Sequence, residues 1–294
     1  MLRGAEVMKS VFNKGGQQFQ LKNNCLQLSL LARDFRNEIN NKRNLNVKLL
    51  APALAIFLAL LSISSFAEDQ RPSFGGVETF ACNFKEGNSL QDVLNVAEKW
   101  DKWMDKNASR TYSGFAMTPH YFSEPTADYY WVGFTNSFED QGVIDEEFMS
   151  KGGAIQKAFD EIEVCSSRSQ YMWSLVRDTF AEPISGGFVD FARCSLQGGA
   201  GMNDLAAADA KMQSFLDGIG NTTRIYRWMP IQGTNLQGAD FIQAQWEESL
   251  SARGQNMDAF INAGGIEQQA AIYGAVVNCV DGPSANYVSV GGSE

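Results

Sequence analysis

The sequence predicts an α+β fold built twice from one plan, and three observations predict it. Residue types recur at a spacing of 112, each copy reads strand, helix, strand, strand, helix, strand, and the cysteines stand at matching points in the two copies. The 294-residue chain is 44% hydrophobic and 20% charged. That composition supports one large domain or two small ones and excludes a wholly disordered chain.

The first 67 residues differ from the rest. Residues 1–46 are polar and basic, with no sustained apolar period. Val47-Lys48 then leads into the apolar run Leu49–Leu61, and Ser65-Phe66-Ala67 offers small residues ahead of Glu68. A positive start, a short apolar core and a small-x-small end make residues 47–67 a signal peptide. The run is short of the roughly 20 residues that a membrane span needs, so no stable anchor is expected after cleavage. Because Val47-Lys48-Leu49 has the form of a bacterial signal-peptide start, residues 1–46 read as an over-long gene start or a polar extension. Nine of the basic and three of the acidic side chains lie in residues 1–67, which leaves 15 against 31 in the remainder, a net charge of −16. Such a surface argues against nucleic acid as a partner, since phosphate binding rests on basic groups. The expected compartment is periplasmic or extracellular.

Cys82 and Cys194 stand 112 apart, and the same shift puts Asp128 on Asp240, Met117 on Met229, Phe134 on Trp246, Phe148 on Phe260 and Gly152-Gly153 on Gly264-Gly265. Copy one is expected over residues 68–180, a linker over 181–187, and copy two over 188–294. A short strand ends near the first cysteine of each copy. Leu90, Val93, Leu94, Ala97, Trp100 and Met104 then follow helical spacing, as do Leu205, Ala208, Met212, Phe215 and Leu216. Asn88-Ser89 and Asn203 are candidate N-caps, and Gly218-Ile219-Gly220 is a helix stop. Strands are expected over Tyr112–Thr118 with Tyr129–Thr135, and over Arg224–Met229 with Asp240–Trp246. A helical stretch broken by the glycine pair covers Glu139–Glu161 or Arg253–Ile272. The closing strands are Tyr171–Val176 and Tyr287–Val290.

The order β-α-β-β-α-β is that of the ferredoxin-like split βαβ unit. Cys82, Cys165, Cys194 and Cys279 remain after signal cleavage, and four cysteines allow three pairings. In a ferredoxin-like unit the first and last strands are antiparallel neighbours, which pairs Cys82 with Cys165 and Cys194 with Cys279. Each bridge closes a loop of about 84 residues, worth at most roughly 4–5 kcal/mol on the chain-entropy model. A ferredoxin-like sheet carries helices on one face only, and two copies can cover each other's bare face. In this respect the chain resembles the dimeric α+β barrel superfamily, fused into one polypeptide and expected to be a monomer. The resemblance implies a pseudo-dimeric barrel. It implies no activity, because that superfamily spans small monooxygenases, haem-degrading and haem-dismutase proteins, and families without known activity, and no catalytic motif of any of them is matched.

Candidate site residues follow from strand alternation. Tyr130, Val132 and Phe134, with Ile242, Ala244 and Trp246, are apolar in both copies and are assigned to the helices. Tyr129 and Trp131, with Gln243 and Gln245, then line the space between the sheets, as aromatic and polar groups of a small-molecule pocket or as a mixed core. His120 is the single histidine, the default general base or haem ligand and equally an ordinary loop histidine. Arg227 either meets an anionic ligand or pairs with a carboxylate. The acidic groups Glu139-Asp140 and Asp145-Glu146-Glu147 read as solvated helix faces. One histidine and no EF-hand spacing leave no metal site, and no cofactor motif is present. The function expected is a small-molecule-binding or accessory protein of the cell envelope. The alternatives are an α+β-barrel enzyme, either a cofactor-free monooxygenase or a haem-handling protein with His120 at its centre, and a purely structural envelope protein.

Overall fold

The computed structural model describes residues 74–123, 127–180 and 185–293. The expectations for residues 1–46 and 47–67, and part of the linker, lie outside the described residues. The first half runs β1 (Phe74–Phe84), α1 (Leu90–Asn107), β2 (Tyr112–Pro119), β3 (Tyr129–Thr135), α2 (Phe138–Lys151), α3 (Gly153–Ile162) and β4 (Glu163–Arg177). The second half repeats the order as β5 (Gly186–Leu196), α4 (Met202–Gly218), β6 (Arg224–Gln232), β7 (Phe241–Glu247), α5 (Leu250–Asn262), α6 (Gly265–Tyr273) and β8 (Val277–Ser293).

The eight strands close into an antiparallel barrel in the order β1-β3-β2-β8-β5-β7-β6-β4. The halves join at two seams. Ala116 lies opposite Val288 where β2 meets β8, and Trp173 lies opposite Trp228 where β4 meets β6. Within each half the registers correspond, with Val77 opposite Phe134 and Val189 opposite Trp246. One alignment shifts. Met117 lies opposite Tyr130 and Trp228 opposite Ile242, so Met117 corresponds to Trp228 rather than to Met229. The cysteines face each other as the topology requires, in the bridges Cys82–Cys165 and Cys194–Cys279. Two such bridges suit an oxidising, extracellular compartment. Among the described residues no helix is long and apolar enough to cross a membrane.

Local chemistry sets the element ends. The Asp92 carboxylate accepts from the Ser89 amide and hydroxyl and starts α1. Helix α4 starts earlier than expected, with Gly201 as N-cap in place of Asn203 and the Gly201 amide donating to Asp204. Both closing strands are longer than expected, because Val164–Ser167 and Asn278–Val280 pair in the ladder while their side chains stay exposed, which removes the alternation a sequence would show. Gly186 and Gly187 belong to β5, not to a linker. A Cβ on Gly187 would meet the Glu247 carbonyl at 2.1 Å, so close strand packing requires glycine there.

The two faces of the sheet are the reverse of those expected. Val132, Phe134, Ala244 and Trp246 fill the barrel with Val77, Met117, Tyr171, Val189, Trp228 and Tyr287, in one cluster shared by both halves. Tyr130 and Ile242 pack against that cluster. Tyr129 and Trp131 face the helices. On the helix side Tyr129 and Trp131 find hydrogen-bond partners, in Glu163 and Tyr112. The barrel centre holds aliphatic side chains together with Tyr171, Trp228, Trp246 and Tyr287.

Candidate functional site

A cavity of about 240 Å³ lies in the first half, between the outer face of β1, β3 and β4 and helices α1, α2 and α3. Alternation along β1 sends Glu78, Phe80 and Cys82 to this side while Val77 faces the barrel. Trp131 forms part of the wall, with edge contacts to Trp100 at 5.0 Å and Phe159 at 5.6 Å. Phe148 and Met149 from α2 stand at the rim, and Met149 is 77% exposed.

Polar groups enter the cavity at two places. At the first, the Tyr112 hydroxyl donates to Glu78 Oε1 at 3.0 Å and accepts from Trp131 Nε1 at 3.0 Å. Gly133 makes this possible, since a Cβ there would stand 1.7 Å from the Tyr112 hydroxyl. Arg168 donates to Glu78 Oε2 from Nε at 3.0 Å and bridges to Asp145 at 2.6–2.7 Å. At the second, the Tyr129 hydroxyl donates to Glu163 beside the Cys82–Cys165 bridge.

Burial pushes the Glu78 carboxyl above its usual range, against the pull of the Arg168 guanidinium. Burial raises Glu163 as well, and the hydrogen bond from Tyr129 offsets only part of that. Tyr112 and Tyr129 are both raised, by burial first and by the neighbouring carboxylate second. The phenols therefore stay neutral donors, and Glu163, which the charge of Asp160 raises further, holds its proton more tightly than an exposed glutamate.

The structure gathers two of the sequence-derived candidates here, Tyr129 and Trp131. The others lie elsewhere. Arg227 is buried in the second half and pairs with Asp209 through both terminal nitrogens at 2.5 Å, while Tyr273 donates to the same carboxylate at 2.8 Å. Of the two readings of Arg227, its position is that of an ion pair. Gln243 and Gln245 are half-buried on the helix-facing side of β7, away from the barrel interior. His120 sits outside the cavity, where its Nδ1 lies 3.0 Å from Asn286 Nδ2 and its ring meets Phe188 edge-on at 5.3 Å. Asp145, read from sequence as a solvated helix residue, instead reaches Arg168 at the cavity rim.

Sequence reasoning missed Glu78, Tyr112, Glu163 and Arg168. One signal was available for Glu78, a charge inside the apolar strand Gly75–Phe84. Glu163 and Arg168 carried none, because their strand was not recognised that far upstream. Cys82, Cys165 and Glu163 place their ligand atoms within 4.8 Å of one another, yet the two sulfurs are already joined. A haem does not suit this cavity. No histidine lines it, its two tyrosines are engaged by carboxyl groups, and its volume falls below the range of about 300–1,000 Å³ usual for larger ligands.

No protein-family model matches the chain, and no curated protein does. Solved structures match the chain at low identity. A protein from Fusobacterium nucleatum provisionally named a monooxygenase is 11% identical, with a TM-score of 0.47 over 74% of this chain and 92% of its own. A haem-binding protein from Thermus thermophilus is 10% identical, with a TM-score of 0.43 over 73% and 90%. A chlorite dismutase variant from Candidatus Nitrospira defluvii is 9% identical, with a TM-score of 0.45 over 74% and 92%. In this chain one polypeptide supplies all eight antiparallel strands of the closed barrel.

Proposed function

We propose that the chain is an exported small-molecule-binding protein, with its ligand seated in the helix–sheet cavity of the first half. In this reading residues 47–67 direct export, so the exported protein begins at Glu68, and the two halves are tandem ferredoxin-like units that form a pseudo-dimer within a monomer. The observation that carries the proposal is the cavity of about 240 Å³ with aromatic walls and two buried carboxyl–phenol pairs, Glu78 with Tyr112 and Glu163 with Tyr129. That mixture suits a ligand that is mostly apolar and oriented by one or two hydrogen bonds. Trp100, Trp131 and Phe159 offer ring edges and faces to a flat molecule. The Glu163–Tyr129 pair offers a hydrogen bond to a hydroxyl or carbonyl oxygen. A compact phenol or quinone meets those requirements.

The test is a titration with 4-nitrophenol, read by the absorbance of the probe and by tryptophan fluorescence. Saturable binding is expected, together with its loss in Ile144→Phe, which fills the cavity from α2 while thermal unfolding stays cooperative. Binding that survives Ile144→Phe, or no saturable binding of 4-nitrophenol and 1,4-benzoquinone alike, would reject the site.

A second reading, a cofactor-free oxygenase-type enzyme, draws support from Glu163. A carboxyl group that burial makes a weaker acid, beside an apolar cavity, can exchange a proton with a bound phenol.

A further inference from the structure

The helix–sheet cavity of the first half has a disulfide in its wall. Cys82 on β1 and Cys165 on β4 both line it, Cys82 buried and Cys165 exposed to solvent. The bridge thus stands between the cavity and the outside of the molecule. Glu163 lies against it. Its Oε1 is 3.7 Å from the Cys165 sulfur, its Oε2 accepts the Tyr129 hydroxyl, and one carboxylate oxygen is within 4.8 Å of both sulfurs.

The second half holds the same bridge without this equipment. Cys194–Cys279 joins the corresponding positions of β5 and β8, but Val277 occupies the place of Glu163 and Phe241 that of Tyr129. Cys194, Phe241 and Val277 pack together in an apolar cluster. A bridge that only ties the first strand to the last therefore has no need of a buried carboxyl beside it. A pair of sulfurs supplies two electrons when it closes, and a carboxyl can carry the protons that go with them. Those are the requirements for reducing a quinone to a hydroquinone.

We propose that the Cys82–Cys165 pair takes two electrons from a dithiol and passes them to a p-quinone seated in the cavity, which rests on the reading of that cavity as one for a compact phenol or quinone. In the first stage a thiolate of the dithiol attacks the Cys165 sulfur and the Cys82–Cys165 bond breaks. The donor's second thiolate then resolves the mixed disulfide, leaving an oxidised donor and two protein thiols that have taken up its two protons. In the second stage the Cys82 sulfur adds to the quinone ring and the Cys165 sulfur attacks Cys82. The S–S bond forms as the S–C bond breaks, and the electron pair of that bond leaves on the hydroquinone. The two thiol protons reach the hydroquinone oxygens by way of Glu163.

Duroquinone is the probe, because its ring methyls leave no ring hydrogen for a thiol to displace and hence no stable adduct. The folded full chain is opened with dithiothreitol under argon, freed of reagent and exposed to duroquinone, with thiols located by differential alkylation and peptide mapping. Cys82–Cys165 is expected to re-form at least tenfold faster than Cys194–Cys279, with one durohydroquinone released per bridge. Glu163→Gln should slow the first bridge about tenfold or more and leave the second at its rate. Ile144→Phe, which fills the cavity, should bring the first bridge down to the rate of the second. A first bridge that dithiothreitol leaves closed, equal rates for the two bridges, or indifference to both variants would overturn the proposal. Binding of duroquinone to the oxidised chain, followed by tryptophan fluorescence, separates the causes. Saturable binding with equal rates removes the electron transfer and keeps the ligand site, whereas no binding removes both.

Discussion

The two halves share one strand order and one pair of registers, but they use the space between sheet and helices in opposite ways. In the second half that space holds a buried ion pair. Arg227 extends from β6 over the Phe241 ring, and Asp209 reaches it from α4. The corresponding positions in the first half are Ala116 and Ala97, both buried. Where the second half carries Phe241 and Val277, the first carries Tyr129 and Glu163. One half thus fills the space with an ion pair, and the other leaves a cavity with paired polar groups at its wall. Two copies of a scaffold can divide structure and binding between them, and the division lies in a few side chains rather than in the fold.

The largest effect is expected from separating the halves. A chain of residues 68–180 loses the β2–β8 and β4–β6 seams and exposes Val132 and Phe134, which only the other half covers. Burial at roughly 25 cal/mol per Å² makes two such side chains worth several kcal/mol, a large share of a small domain's stability. Light scattering and thermal melts should show self-association or unfolding, reversed by adding residues 187–294. A stable monomer would mean that the halves are not interdependent.

Next in size is Arg227→Ala. It leaves the Asp209 carboxylate buried without its cation, which costs about 3–5 kcal/mol. Replacing both partners with apolar residues, as Asp209→Leu with Arg227→Met, should recover most of that loss in urea unfolding. If Arg227→Ala is silent, the pair does not hold the second half together.

The smallest effect tests the first half's polar wall. Tyr129→Phe removes a donor from buried Glu163 and should cost about 1–3 kcal/mol. Tyr129→Phe with Glu163→Val imitates the second half and should restore stability. Glu163 also has a signature in pH. Its folded value is raised above the ordinary 4.5, so its contribution is complete below that pH and is lost as pH rises through the raised value. The double variant should therefore lose less stability than the natural chain between pH 5 and pH 8. Identical slopes would remove Glu163 from the account.

Element order and both disulfide pairings were legible in the sequence because the duplication checks each segment against its sibling. The sheet faces were not. Tyr129–Trp131 and Tyr130–Val132–Phe134 are both apolar enough to be buried, and both faces of a barrel strand are, so alternation alone leaves inside and outside undetermined. The hydrogen-bond partners on the helix side could not be read either, because Glu163 and Tyr112 are distant in sequence from the groups they satisfy. The candidate site was half legible for the same reason: its aromatics stand out, whereas Glu78 and Arg168 matter only once β1 and β4 lie side by side.

The central claim is that the first half is open where the second is filled. Diffraction from crystals pressurised with xenon tests it directly, since xenon enters apolar cavities and leaves packed interiors empty. A xenon peak is predicted between Trp131 and Phe159, with none between β6 and α4 beside Arg227. Xenon at equivalent places in both halves, or only in the second, would contradict the division of roles.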